Sequence, residues 1–301
     1  MYVNTALIKK TFNDWLLKIN WLSPSNTEEE IAVSRYLKKL TAFSTVIFVF
    51  TTLAFRFFMN LQTSALLRGY SYHFRYRLFD ITFATLDGNK WPLSRILIVF
   101  GLGYMVFMLV GLFLLNKFKN IHNVDWKTRL ILTWIAFLLV NSVPAAIIAG
   151  VFSVNSFGII FHWLAMNIFI RIAIGLGALL MMFLSRNFWV FLFLKATPSR
   201  FFLTDDEPME LYIMHVFTKS WLYGFLILLF FNWPLRDIFW PVFFLSFGVV
   251  AMPIFVRPVA HEDISIRKSN RELFSSPYAW YFIVGILLVT RICGTLFSIQ
   301  F

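Results

Sequence analysis

Residues 157–184, FGIIFHWLAMNIFIRIAIGLGALLMMFL, are an almost unbroken apolar run with one arginine, Arg171, at the centre. Read as a single α-helix, the run would extend roughly 42 Å, more than the ~30 Å hydrocarbon core of a bilayer. A soluble core has no use for several such segments, and comparable runs recur at about 42–61, 96–115, 130–151, 213–231, 238–256 and 278–299. The chain is 59% hydrophobic and only 14% charged, where soluble domains run near 25% charged. The expected fold is therefore all-α, a polytopic transmembrane helix bundle of about seven spans over residues 41–301. Residues 1–40 form an N-terminal cytoplasmic and interfacial segment.

That segment has its own pattern. Ile8, Phe12, Trp15, Leu16 and Ile19 share one helical face while Lys9, Lys10 and Lys18 lie on the other, which suits an amphipathic helix lying in the membrane interface. SPSN at 23–26 breaks it. Thr27 then opens a capping-box match with Glu30, from which a helix can run through the basic SRYLKKL segment directly into span one. No cleavable signal is visible in residues 1–22.

Residues 62–94 form the one long inter-span segment before the C-terminal third. SYHFRYRLFDITFATLDGNKW alternates aromatic with polar or basic residues, and Asp87-Gly88 is a strong turn signal. A short strand pair or an interfacial segment would both fit. Span three contains Asn141 and Pro144, the latter expected to kink its helix. FWVFLFL at 188–194 is too short to cross alone and reads as interfacial or re-entrant. Thr204 begins a second capping-box match with Glu207, and Ser276-Pro277 caps span seven.

The net charge of +12 sits mainly between the apolar runs, which explains it by topology and headgroup attraction rather than by nucleic-acid binding. With the N-terminus cytoplasmic, the basic loops at 116–129, 185–212 and 257–275 are cytoplasmic too, and the turns at 152–156 and 232–237 are external. The basic segment 62–94 is the exception. A bacterial inner (cytoplasmic) membrane is the expected location. The single cysteine, Cys293, excludes an intrachain disulfide and a cysteine-cluster metal site, and no metal or other cofactor is implied.

All fifteen acidic residues fall outside the span centres, which lowers cation-coupled transport and carboxylate catalysis. The basic residues point elsewhere. Arg56 and Arg291 lie near the outer ends of their spans, where they can snorkel to headgroups. Arg171, some 13 residues from either end of its run, cannot. Asn167, Arg171, Gly175, Ala178, Met182 and Ser185 recur at spacings of three and four, a stripe of polar and small residues that suits a close helix–helix seam. It also suits an anion site, because no acidic partner is available within the spans. His261-Glu262-Asp263-Ile264-Ser265 lacks the second ligand of a helical zinc motif. Neither Cys293 beside Arg291 nor Ser246 lies in a nucleophile context.

The leading expectation is binding or passage of an anionic or lipidic molecule at Arg171 and Asn167, with Asn141, Arg56 and Arg291 as further candidates. Membrane lipids with anionic headgroups are the expected partners. The alternative is a non-catalytic membrane subunit or scaffold that docks a partner membrane protein or a second copy of itself. A membrane-embedded enzyme comes third.

Overall fold

The computed structural model describes residues 28–70, 74–77, 80–83, 91–118, 124–198, 200–203, 206–232, 238–252 and 298–300. The amphipathic segment before residue 28, span seven, Arg291, Cys293 and the residues at 261–265 lie outside them.

Helix α1, Glu28–Gly69, runs unbroken for 42 residues, so the basic segment does continue into the first span. Its interior is dotted with hydroxyls, which are satisfied within the helix. Thr45 donates to the Thr41 carbonyl at 2.8 Å and Thr52 to that of Phe48 at 2.6 Å, the back-bonding by which such residues are carried in an apolar helix. Strands β1 (Phe74–Arg77) and β2 (Asp80–Phe83) then pair antiparallel, with Arg77 opposite Asp80. The strand pair expected in 62–94 is thus present, but it reverses between residues 77 and 80 and not at Asp87-Gly88. Strand β3 (Ser298–Gln300) lies on the other edge of β1.

Helices α2 (Leu93–Phe100) and α3 (Leu102–Phe118) are bent by 47° at Gly101 and together occupy the place of span two. Helix α4, Trp126–Phe152, is span three, with Pro144 inside it. A Cβ on Gly111 of α3 would stand 2.8 Å from Leu139 Cβ, so only glycine lets α3 approach α4 this closely.

The fourth span differs from expectation. Residues 157–184 are not one helix: α5 (Phe157–Trp163) ends, and α6 (Ile168–Lys195) begins after four intervening residues. Ala165 takes a left-handed φ of 47°. The Ala165 N–H bonds the His162 carbonyl and the Met166 N–H bonds that of Phe161, the two hydrogen bonds of a Schellman termination. Asn167 then caps α6, its side chain accepting from the Phe169 N–H. In consequence FWVFLFL is not a separate interfacial piece; it is the last part of α6.

Span five is assembled from α7 (Asp206–Ile213), a π-helical turn (Met214–Lys219) and α8 (Ser220–Phe231). Span six is shorter than expected: α9 (Phe239–Ser246) and α10 (Gly248–Ala251) meet at Phe247 and cover only about 20 Å. Four helices among the described residues are long and apolar enough to cross a bilayer, or five with α2 and α3 as one bent span.

The packing fixes how the spans run. Thr41 meets His215, Gly224 lies against Phe48, and Arg56 meets Asn232, so α1 and α8 are parallel. Trp134 meets Phe193 edge-to-face at 4.8 Å and Phe137 meets Trp189 likewise at 5.2 Å, so α4 and α6 are antiparallel. Between them lies an aromatic core in which Phe137, Phe193, Phe217, Phe239, Phe243 and Phe244 are fully buried, which gives many of the chain's phenylalanines a packing role. This register brings Arg35, Lys38, Lys39, Lys117, Lys127, Arg129 and Lys195 to one end of the bundle.

Candidate functional site

The residues singled out in the sequence do not converge. Asn167 is exposed and occupied as the cap of α6. Arg171 stands one turn into α6, half-buried, and its Nε donates to the Met166 carbonyl at 2.9 Å. It is therefore near a helix start and not at the middle of a long span. Arg56 is buried within α1, 13 residues before its end at Gly69; its Nη1 donates to Asn232 Oδ1 at 2.6 Å and the guanidinium lies 4.7 Å from the Trp240 ring centre. Asn141 is buried in α4, its Nδ2 bonded to the Phe137 carbonyl.

The stripe on α6 is real but continues differently. Gly175, Ala178 and Met182 are buried, and a Cβ on Gly175 would stand 2.8 Å from Val151 Cγ2, which marks the seam with α4. Beyond Met182 the buried row passes through Arg186, Trp189 and Phe193; Ser185 is not part of it. The opposite face is apolar and open, with Phe169 76%, Leu176 61% and Leu184 71% exposed, as expected of a helix turned toward lipid.

Arg186 falls within the basic loop expected at 185–212. In the fold it is an interior residue, 3% exposed, and neither its Nε nor its Nη2 has a hydrogen-bond partner. One turn on, the indole Nε1 of Trp189 is also buried without a partner. Helices α4, α7 and α10 pack against α6; α4, α6 and α10 hold no Asp or Glu, and α7, which carries Asp206, Glu207 and Glu210, meets α6 at its end, where Tyr212 donates to the Ala196 carbonyl. The Phe137–Trp189 contact sets Asn141, one turn further along α4, level with Ser185 and Arg186. A buried polar group without a partner costs about 1–3 kcal/mol, and more when charged. Three such donors on adjacent turns of one face therefore call for acceptors. The sequence did hold a cue: the spacing from Met182 to 186, 189 and 193 keeps the stripe, and the apolar run resumes at Phe188.

A second polar group closes on itself. Thr41 donates to the Leu37 carbonyl, so His215 Nδ1 donates to Thr41 Oγ1 at 2.9 Å, and His215 Nε2 accepts from Lys219 Nζ at 3.0 Å. Ser44 donates to the Val216 carbonyl and accepts from Trp134 Nε1. These bonds pin the π-turn to α1 and α4.

Long apolar helices packed in this way define a multi-pass helical membrane protein. Compared with protein-family models, curated proteins and solved structures, the chain matches none of them.

Proposed function

We propose that this membrane protein binds an anionic or lipidic molecule inside its helix bundle, centred on Arg186 of α6 with Asn141 of α4 at the same level. The observation that carries the reading is the buried Arg186 guanidinium whose Nε and Nη2 lack partners. An anion would supply the countercharge, since α4, α6 and α10 carry no Asp or Glu, together with acceptors for the two unpaired nitrogens. Arg171 and Asn167, near the opposite end of α6, are assigned to anionic lipid headgroups at that surface. Arg56, held by Asn232 and Trp240, ties α1 to the end of α8. The cations gathered at one end of the bundle support placing that end, with the start of α1, in the cytoplasm. The corresponding compartment is a bacterial inner membrane.

The test is native mass spectrometry of the full-length protein released gently from its own membrane, wild type beside Arg186→Gln. The expected result is a retained anionic ligand or lipid that is lost in the variant. A stoichiometric partner chain, with no ligand in either protein, would replace this reading with that of an accessory subunit.

A further inference from the structure

Resting on that reading of Arg186, we propose that the bound group is an oxyanion offering two oxygens in one plane, a phosphate or a carboxylate, gripped side-on by the guanidinium. A monatomic anion is not the ligand this arrangement selects. Arginine presents its donors along distinct edges. Nε–H and Nη2–H lie parallel on the edge facing away from the side-chain stem, and this pair matches the two oxygens of a carboxylate or phosphate. These are the two nitrogens of Arg186 that are buried without a partner. A halide between the two N–H groups accepts from both through bent bonds; a two-oxygen anion meets each along its own axis.

Trp189 extends the match. Its Nε1, likewise unpartnered, is a donor with no acceptor capacity. It lies one turn from Arg186 on the same buried face, toward Lys195. The unpaired atoms on this stripe are all donors, so the complementary molecule brings acceptors only. A phosphate, with a third oxygen, can meet all three donors where a carboxylate meets the fork alone.

The surroundings set the direction of approach. Arg186 is nine residues before Lys195, about 14 Å in from that end of α6. That end carries Lys195, Arg129, Lys127 and Lys117, with Arg129 Nη1 donating to the Lys195 carbonyl. Clustered cations raise the local concentration of anions at the surface they occupy. The phosphate or carboxylate can belong to a free solute or to a lipid headgroup drawn between the helices, since both offer the same oxygens.

The test measures binding to full-length protein in nanodiscs of zwitterionic lipid at constant ionic strength. Inorganic phosphate, acetate, chloride and short-chain phosphatidic acid serve as parallel probes against wild type, Arg186→Lys, Arg186→Gln and Trp189→Phe. Phosphate or phosphatidic acid is expected to bind, with chloride competing at least tenfold more weakly. Arg186→Lys keeps the charge but loses the fork, and should weaken oxyanion binding at least tenfold. Trp189→Phe should weaken phosphate severalfold and acetate less. Phosphatidic acid binding while phosphate does not identifies a lipid headgroup; phosphate binding by itself identifies a solute. Chloride binding as well as phosphate, with Arg186→Lys equal to wild type, would overturn the oxyanion assignment and leave the anion site standing. Absence of binding to wild type, or binding unchanged in Arg186→Gln, would overturn both. If Arg186→Lys fails to fold, the wild type still decides: chloride bound as tightly as phosphate and acetate overturns the assignment.

Discussion

A guanidinium held inside a helix bundle without acceptors is a burden on the empty protein and an asset to the occupied one. Arg186 gives up hydration on folding, and two of its nitrogens recover no hydrogen bond from the chain. Replacing such a group by an apolar side chain of similar length removes the desolvation cost while keeping the packing. We therefore expect Arg186→Met to stabilise ligand-stripped protein by about 1–3 kcal/mol, read from denaturant-induced loss of helical circular dichroism in detergent. With the native ligand retained, the wild type should recover the difference, because a ligand bound only to the folded state adds its own stability. A Met variant less stable than wild type in the stripped state would mean that the bundle itself satisfies this arginine. Arg56 is the contrast: it also sits in the interior, but Asn232 and Trp240 hold it, so Arg56→Met should weaken the fold in either state.

The junction between α5 and α6 changes where every downstream residue lies, and it can be tested by the sign of one mutation. Ala165 occupies the left-handed position of the Schellman termination, where a Cβ costs about 1–2 kcal/mol and glycine is the usual occupant. Ala165→Gly should therefore stabilise the protein by about 0.5–1 kcal/mol. Were residues 157–184 one continuous helix, the same change would destabilise by about 1 kcal/mol, so unfolding measurements distinguish the two architectures outright. This element also shows where the sequence was readable. The run of α1 from its basic segment into the first span was legible in charge and hydropathy, as were the limits of α4 within a few residues. The break at 164–167 was not, because alanine stands where glycine would have announced it and the only cue was Asn167, a cap residue that also suits a polar seam. The same misplacement hid the site. An apolar run beginning at 157 is long enough to span by 184 and turns Arg186 into a loop charge, whereas a helix beginning at Ile168 makes it interior. Gly175, Ala178 and Met182 were recognised as a packing stripe because small residues at helical spacing carry that information without knowledge of where the helix starts.

At the scale of the whole molecule, the sheet ties together segments far apart in sequence and so constrains how many times the chain crosses the membrane. Strand β1 follows directly on the far end of α1, and β3 pairs with β1 near the C-terminus. Strands that share hydrogen bonds lie on one side of a bilayer, since an open sheet edge is not tolerated in its hydrocarbon core. Helix α1 separates its own start from that side, so residues near Lys38 and residues of β3 are on opposite faces and the number of crossings between them is odd. Five crossings, the count among the described residues with α2 and α3 taken as one bent span, satisfy this, as do the seven expected from hydropathy; six and eight do not. The sole cysteine can be removed as Cys293→Ser, and single cysteines placed at Lys38, Arg75, Lys195 and Ser298 can then be probed in sealed inside-out and right-side-out vesicles with a membrane-impermeant thiol reagent. Lys38→Cys and Lys195→Cys should react in one vesicle orientation, Arg75→Cys and Ser298→Cys in the other. Ser298→Cys reacting together with Lys38→Cys would break the β1–β3 pairing and restore an even count. Lys195→Cys reacting with Arg75→Cys would instead reverse α6, removing the basic end from which an anion is proposed to reach Arg186.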